Sequence, residues 1–509
     1  MKKIILIIVA VVMAVIAAGL FLWAGRTPDG DFSAVVGYRD SEIKSWRSDE
    51  GIFYLFLPGD ISLPALTFSC SGIRIRSTDH GSFDQKSGTV TGAFAESGDA
   101  VTITSENRQD YNVVALQADL PGVMIELSDT TLETVNAGLK DTEYEGSAVM
   151  FVDREGSADT YENVVLKGRG NTSWEQAAKK SYQLVFEEDT GVFGMEPAGK
   201  WILQANAFDE TMMRNEIAFR ASRRMGMPFT MDFVYANVWV DGMYIGTYYV
   251  GEKVELGEGR VGLSDPEGIL VELDKAYYGQ NEYWFETDYD VFGVRGAVSE
   301  EHVEDAVGQF DSLYDGVYTY LEKTDPAAVS EEELSKYIDI DSFVRMYFLL
   351  DFFRNTDSYL SSTYFYLDGE EDVIHFGPVW DYDCSMGNPA SPDKADPDGN
   401  DYENGLLISL LLKTDCFAER VREYFNSNKE VFEDTLEDCD LLYRELLPAA
   451  AMNYTRWEYA LGADHSNQYG VKRDIGAFHD TYEDGYLYLK NWLSERIRHF
   501  EECIPVREE

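Results

Sequence analysis

Runs of β-forming residues fill the chain as far as about residue 273, and helical spacing takes over after about residue 300. That order constrains the fold more than any single motif, because strands followed by helices give an α+β architecture. The early runs 52-IFYLFLP-58, 73-IRIRS-77, 100-AVTITS-105 and 112-NVVALQA-118 are separated by Gly, Asp and Ser. They predict a small antiparallel β domain over 33–118. Further strands follow at 123-VMIELS-128 and 148-AVMFVDR-154. The stretch 164–188 reads as a strand, a Gly-rich loop and another strand. Residues 209–226 read as a helix with Asp209 as N-cap and Gly226 as C-cap. A hairpin is expected around Asp241-Gly242, and 268-GILVEL-273 is one more strand. Helices are expected at 303–323, at 330–354 and over most of 405–505.

The chain has 509 residues, enough for several domains, and 45% apolar content makes it globular. Its net charge of −50 repels polyanions, which excludes DNA or RNA as a partner. A nucleotide would need a local positive island. One stretch qualifies: between Val165 and Met225, nine Lys or Arg stand against eight acids.

At the N-terminus Lys2 and Lys3 precede an uncharged apolar run from Ile4 to about Gly25. That is long enough to span a bilayer, so residues 1–25 read as a transmembrane signal anchor. The lysine pair would leave the remainder outside the cell. If the segment is instead cleaved, the protein is secreted. The five cysteines show no C-x-x-C spacing, against a zinc ribbon or a disulfide scaffold.

Three stretches carry residues suited to chemistry. The loop 167-KGRGNTSW-174 combines two glycines with two cations, and such loops can turn amides toward phosphate oxygens. It lacks the Gly-Lys-Ser/Thr of a Walker loop, and a tight turn between strands is the plain alternative. Lys179 and Lys180 then open the strand KKSYQLVF, where alternation puts one on each face. Asp357 lies in a polar patch between a helix and the strand TYFYL. Finally, 377-GPVWDYDCSMGN-388 sets Asp381 and Asp383 one residue apart after the apolar run 373-VIHFGPVW-380. A strand continued through them would point both carboxylates to one face, with a divalent metal, a basic side chain or water between them. The loop 389–405 reads as solvated rather than as a calcium site, because full EF-hand spacing is missing.

Taken together, GRGNTSW (168–174), KKSYQLVF (179–186), KWILQANAFDETMMRNEIAF (200–219), VWVDGMYIGTYYVGEKVE (238–255), GILVELD (268–274), the NTD-to-YFY segment (355–366) and GPVWDYDCSMGN (377–388) resemble the CotH kinase family. These are the atypical kinases similar to spore coat protein H of bacteria. The resemblance covers about 120–390 and leaves 391–509 as a helical extension. It implies an atypical protein-kinase-like core that uses ATP with Mg2+ or Mn2+ to phosphorylate a protein, such as a coat or cell-surface protein. It also implies roles by position. Asp357 would be the catalytic aspartate, and Asp381 a metal ligand assisted by Asp383. Lys180 would contact the nucleotide phosphates. Arg169, Arg214 and Glu252 join it as nucleotide-binding candidates, with Arg214 touching phosphate or holding an acid in place, and Glu272 matches another recurring position. One departure stands out: five residues beyond Asp357, where relatives carry a metal-binding asparagine, this chain has Ser362. A catalytically silent surface-binding or assembly module is therefore the competing reading.

Overall fold

The computed structural model describes residues 29–280, 282–356, 358, 360–369, 372–388, 395–399, 406–457 and 479–504. The expected anchor over 1–25 lies outside the described residues. Among those described, no helix is long and apolar enough to cross a membrane. The chain divides into two compact units.

The first unit comprises the residues up to Glu126 together with Val152–Asp159 and Asn237–Gly246. It contains a five-stranded sheet in the order Trp46–Arg47, Phe53–Pro58, Asp110–Ala118, Ala100–Ser105, Ile75–Thr78. The expected strands are present, but the expectation of a purely antiparallel domain is corrected here. Phe53–Pro58 and Asp110–Ala118 run parallel, with Leu55 opposite Ala115. Leu55, Phe56 and Leu57 are all fully buried, so this strand is apolar on both faces. A continuous apolar run of that kind is the mark of a strand covered on both sides, as parallel pairs usually are.

The second unit comprises Leu127–Phe151, Thr160–Ala236 and Thr247–Glu509. Its strands and helices are labelled here in chain order. β1 (Ala158–Arg169), β2 (Ser181–Thr190), β3 (Ala198–Gln204) and β4 (Met243–Gly251) pair antiparallel in sequence, with Leu166 opposite Leu184 and Leu203 opposite Val250. The one-turn helix α1 (Thr172–Gln176) closes the Gly-rich loop between β1 and β2. A second antiparallel sheet has the order Trp284–Glu286, β6 (Val291–Ala297), β5 (Ile269–Leu273), β7 (Thr363–Leu367), His375–Phe376. All five residues of β5 are buried, as are all five of β7.

Helix α2 (Arg214–Arg224) buries Ile217, Ala218 and Phe219. It starts five residues later than expected, and Met213 rather than Asp209 is the N-cap residue. Asp209 still serves the helix start from a distance, because its Oδ2 accepts the Arg214 amide at 2.9 Å. Gly226 follows the helix at φ +71°, a left-handed position that suits glycine. The turn Asp241-Gly242 has φ values of 49° and 79°, both left-handed, as a two-residue hairpin requires. The C-terminal part is helical: α3 (Ile340–Tyr347) runs into a π-helical turn at Phe348–Phe352, and α4 (Asp415–Ser427), α5 (Lys429–Arg456) and α6 (Tyr482–Cys503) follow. All five cysteines are free thiols.

Candidate active site

In the second unit a cavity of about 470 Å³ opens against the Gly-rich loop. Lys167 and Arg169 of β1 and Ser181 and Gln183 of β2 line it, which is the alternate-residue pattern of one sheet face. The register sets Arg169 opposite Ser181 and Lys167 opposite Gln183. Glycine is required at the loop. A Cβ on Gly168 would lie 2.6–2.7 Å from three ring atoms of the buried Trp174, and Gly170 has φ +92°. Gly168→Ala must therefore displace Trp174. The expected cost is about 1–3 kcal/mol, read as a lower denaturant midpoint.

The lining carries six cations, Lys140, Lys167, Arg169, Lys200, Lys253 and Arg295. Five carboxylates face them: Asp141, Glu272, Asp274, Asp381 and Asp383. In a chain with a net charge of −50 this is a local positive island. Burial lowers the pKa of Lys253 to about 8, so its ammonium keeps most of its charge at neutral pH.

Asp381 and Asp383 both reach the cavity, but not by the strand continuation expected from sequence. The strand ends at Phe376, and Asp381 itself has a left-handed φ of 62°. The turn is held by side chains from several directions. Asn355 Nδ2 donates to the Asp381 carbonyl at 3.0 Å, and the Tyr382 amide donates to Asn215 Oδ1 at 2.7 Å. Asn388 Nδ2 donates to the carbonyls of Phe208 and Asp383 at 2.6 and 2.7 Å. Burial pushes the Asp381 carboxyl up, and the Arg169 charge and the Ser362 hydroxyl, 3.2 Å from Oδ2, pull it back. Thus a basic side chain is one answer to what faces this carboxylate. The Arg169 guanidinium also stacks over Trp380, 5.2 Å from the ring centroid.

The other expected residues are placed as follows. Lys180 is not in the lining: its ammonium donates to the Trp174 carbonyl and lies 5.4 Å from the Trp174 ring centroid. The reason is parity, since Ser181 and Gln183 hold the cavity face of β2. Lys179 is buried and donates to the carbonyls of Ala205 and Thr247. Arg214 is buried and bonds Asp209, with its Nε 3.1 Å from the Ser385 carbonyl and NH2 3.4 Å from that of Met386. It acts on the 381–388 turn, not on the cavity. Glu252 is also buried away from the lining and accepts the Asp232 amide at 2.7 Å; burial raises its pKa to about 7. Asp357 lies outside the described residues.

Sequence reasoning did not single out Lys140, Lys253, Asp274 or Arg295. Arg295 had a local signal, as a lone cation in the strand VFGVRGA. Asn206 is a further case. It lines the cavity, it is buried, and neither atom of its side-chain amide has a hydrogen-bond partner. Among the described residues no group of three or more His, Cys, Asp and Glu forms a ready metal site.

Such a site, lined by residues of two β-sheets, defines a mixed α+β protein with a pocket suited to an anionic ligand. The family model for the CotH kinase protein matches residues 166–500, and the chain belongs to that family. None of the curated proteins matches. Among solved structures, the crystal structure of the Helicobacter pylori proinflammatory kinase CtkA is similar at 10% identity. The match covers 64% of this chain and 94% of that one, with a TM-score of 0.24, too low to carry any argument about fold or function.

Proposed function

We propose that the protein is an ATP-dependent protein kinase with an atypical kinase-like core. The observation that carries this reading, beside the family, is the cavity: a cation-rich wall and two adjacent aspartates in an otherwise strongly acidic chain. The residues fit a metal-bound nucleotide. Gly170 takes the left-handed φ that turns the loop, and Arg169, Lys167 and Lys253 supply positive charge. Asp381 and Asp383 would hold Mg2+ or Mn2+, and the orphaned amide of Asn206 is left for a polar partner.

Bound ATP supplies the transferable phosphoryl group, and the metal ion neutralises its charge. The protein's own part is positioning. Arg169 and the loop amides orient the phosphates, Ser362 fixes the Asp381 carboxylate, and Asp357 takes the proton of the acceptor hydroxyl. The acceptor is a protein, such as a coat or surface protein. The reading includes a 1–25 membrane anchor with the catalytic part outside the cell, over 120–390. The silent-module reading is favoured by Ser362, whose hydroxyl is a weaker metal ligand than an amide oxygen.

Calorimetric titration with ATP, with and without Mg2+ or Mn2+, separates the two. Metal-dependent binding is expected, and no binding under either condition would leave the silent module. Asp357→Ala is expected to keep that binding while phosphate transfer falls by about 10²–10⁴-fold, the usual contribution of a general base. Normal transfer by this variant would assign the proton to another group.

A further inference from the structure

The strand lysine expected to hold phosphate is missing from the cavity wall, but a guanidinium with the necessary attributes is there. We infer that Arg295, alongside Arg169, grips the phosphate chain of the nucleotide. The inference rests on the ATP-binding reading above.

Arg295 projects from β6 beside β5, in a register that sets Glu272 opposite Gly293. Its Nε donates to Glu272, and its NH2 lies 3.6 Å from Asp274 Oδ2. The two acids are buried, with side chains 5% and 2% exposed, while that of Arg295 is 32% exposed and lines the cavity. Buried carboxylates thus fix a cation whose surface still opens to a ligand. Its rotamer freedom is removed before binding, which lowers the ordering cost of gripping an anion. A guanidinium also presents a planar fork matched to phosphate oxygens and keeps its charge at any working pH.

Its neighbourhood supports the same role. The other Glu272 oxygen accepts the Ser362 amide at 2.9 Å, and the Ser362 hydroxyl donates to Asp381 at 3.2 Å. Glu272 and Ser362 therefore link the guanidinium to the proposed metal carboxylate. A phosphate bound to a metal ion on Asp381 needs a fixed cation in that vicinity. Three other lining cations are tied elsewhere: Lys200 and Lys253 lie 3.5 and 3.6 Å from Glu255, and Lys140 bonds Asn171 and Gln280, while Arg169 faces Asp381. Glu272 is then a positioning residue for Arg295.

The test is calorimetry of the full chain with Mg-ATP and, separately, with adenosine, which lacks the phosphates. Arg295→Gln is expected to weaken Mg-ATP at least about tenfold, the scale of one charge-assisted hydrogen bond, with adenosine affinity unchanged. Arg295→Lys should fall between Gln and wild type. Lys180→Met should lose less than Arg295→Gln. Wild-type ATP affinity in Arg295→Gln, or a larger loss in Lys180→Met, overturns the assignment alone. If Arg295→Gln loses adenosine as well and so is misfolded, Arg295→Lys decides, and an unchanged Mg-ATP affinity there overturns the role. Wild-type protein that binds neither ATP nor adenosine overturns the nucleotide reading itself, and this inference with it.

Discussion

Asp381→Asn is expected to remove the proposed metal-dependent ATP binding and to leave the folded chain intact. Asparagine keeps the shape of the side chain and can still accept the Ser362 hydroxyl, 3.2 Å away in the wild type. What it removes is the negative charge. Burial already disfavours that charge in the absence of a cation, so its loss costs the fold little. Arg169, which faces Asp381, keeps Glu272 and Tyr364 as further neighbours. Metal affinity responds differently. Changes one shell removed from a metal typically cost about 10–100-fold, and loss of a direct carboxylate should exceed that. Calorimetry with Mg2+ and ATP, run beside a denaturant melt, reads both quantities. Wild-type affinity in the variant would remove Asp381 from the metal site, and a collapsed melt would make its role structural.

Arg214→Met produces the largest expected loss of stability. Arg214 and Asp209 form an ion pair with both side chains 1% exposed. Removing one partner of such a pair strands the other charge in the interior, at a cost of about 3–5 kcal/mol. Replacing both, as Arg214→Met with Asp209→Leu, should recover most of that loss, because the desolvation cost of both charges disappears together. Denaturant unfolding of the two single variants and the double variant measures the coupling. Additive losses would mean that the pair is not what holds this region. ATP binding should not recover in the double variant, since Arg214 also bonds the carbonyls of Ser385 and Met386 in the turn that carries the aspartates.

Much of the fold was legible because its signals are local. The Asp241-Gly242 turn, the β1–loop–β2 unit and the helices after residue 300 each follow from spacing within a few residues. Misread features depended on partners distant in the chain. Whether Phe53–Pro58 pairs parallel or antiparallel is decided by where residues 110–118 return. Among candidate site residues, Arg169, Asp381 and Asp383 line one cavity, and each lies in a motif that declares itself. Arg295 and Lys253 join them only through sheet order. Arg214 and Glu252 stood in equally distinctive motifs and are buried outside the cavity lining. Distinctive residues mark either chemistry or the buried polar contacts that shape it, and sequence alone does not tell the two apart.

Arg496, in α6, has a side chain with no exposed surface, and it donates to the carbonyls of Asp351, Phe352, Pro397 and Gly399. Those four acceptors lie roughly 100 to 145 residues earlier in the chain. Synthesis delivers the chain in order, so the stretch leading into Asn355 and Thr356 emerges without its clasp. Until residue 496 arrives, these carbonyls lack its guanidinium, and that of Asp351 has a local partner, the Arg354 amide at 3.1 Å. The segment before Thr356 thus acquires its full set of hydrogen bonds only when α6 docks.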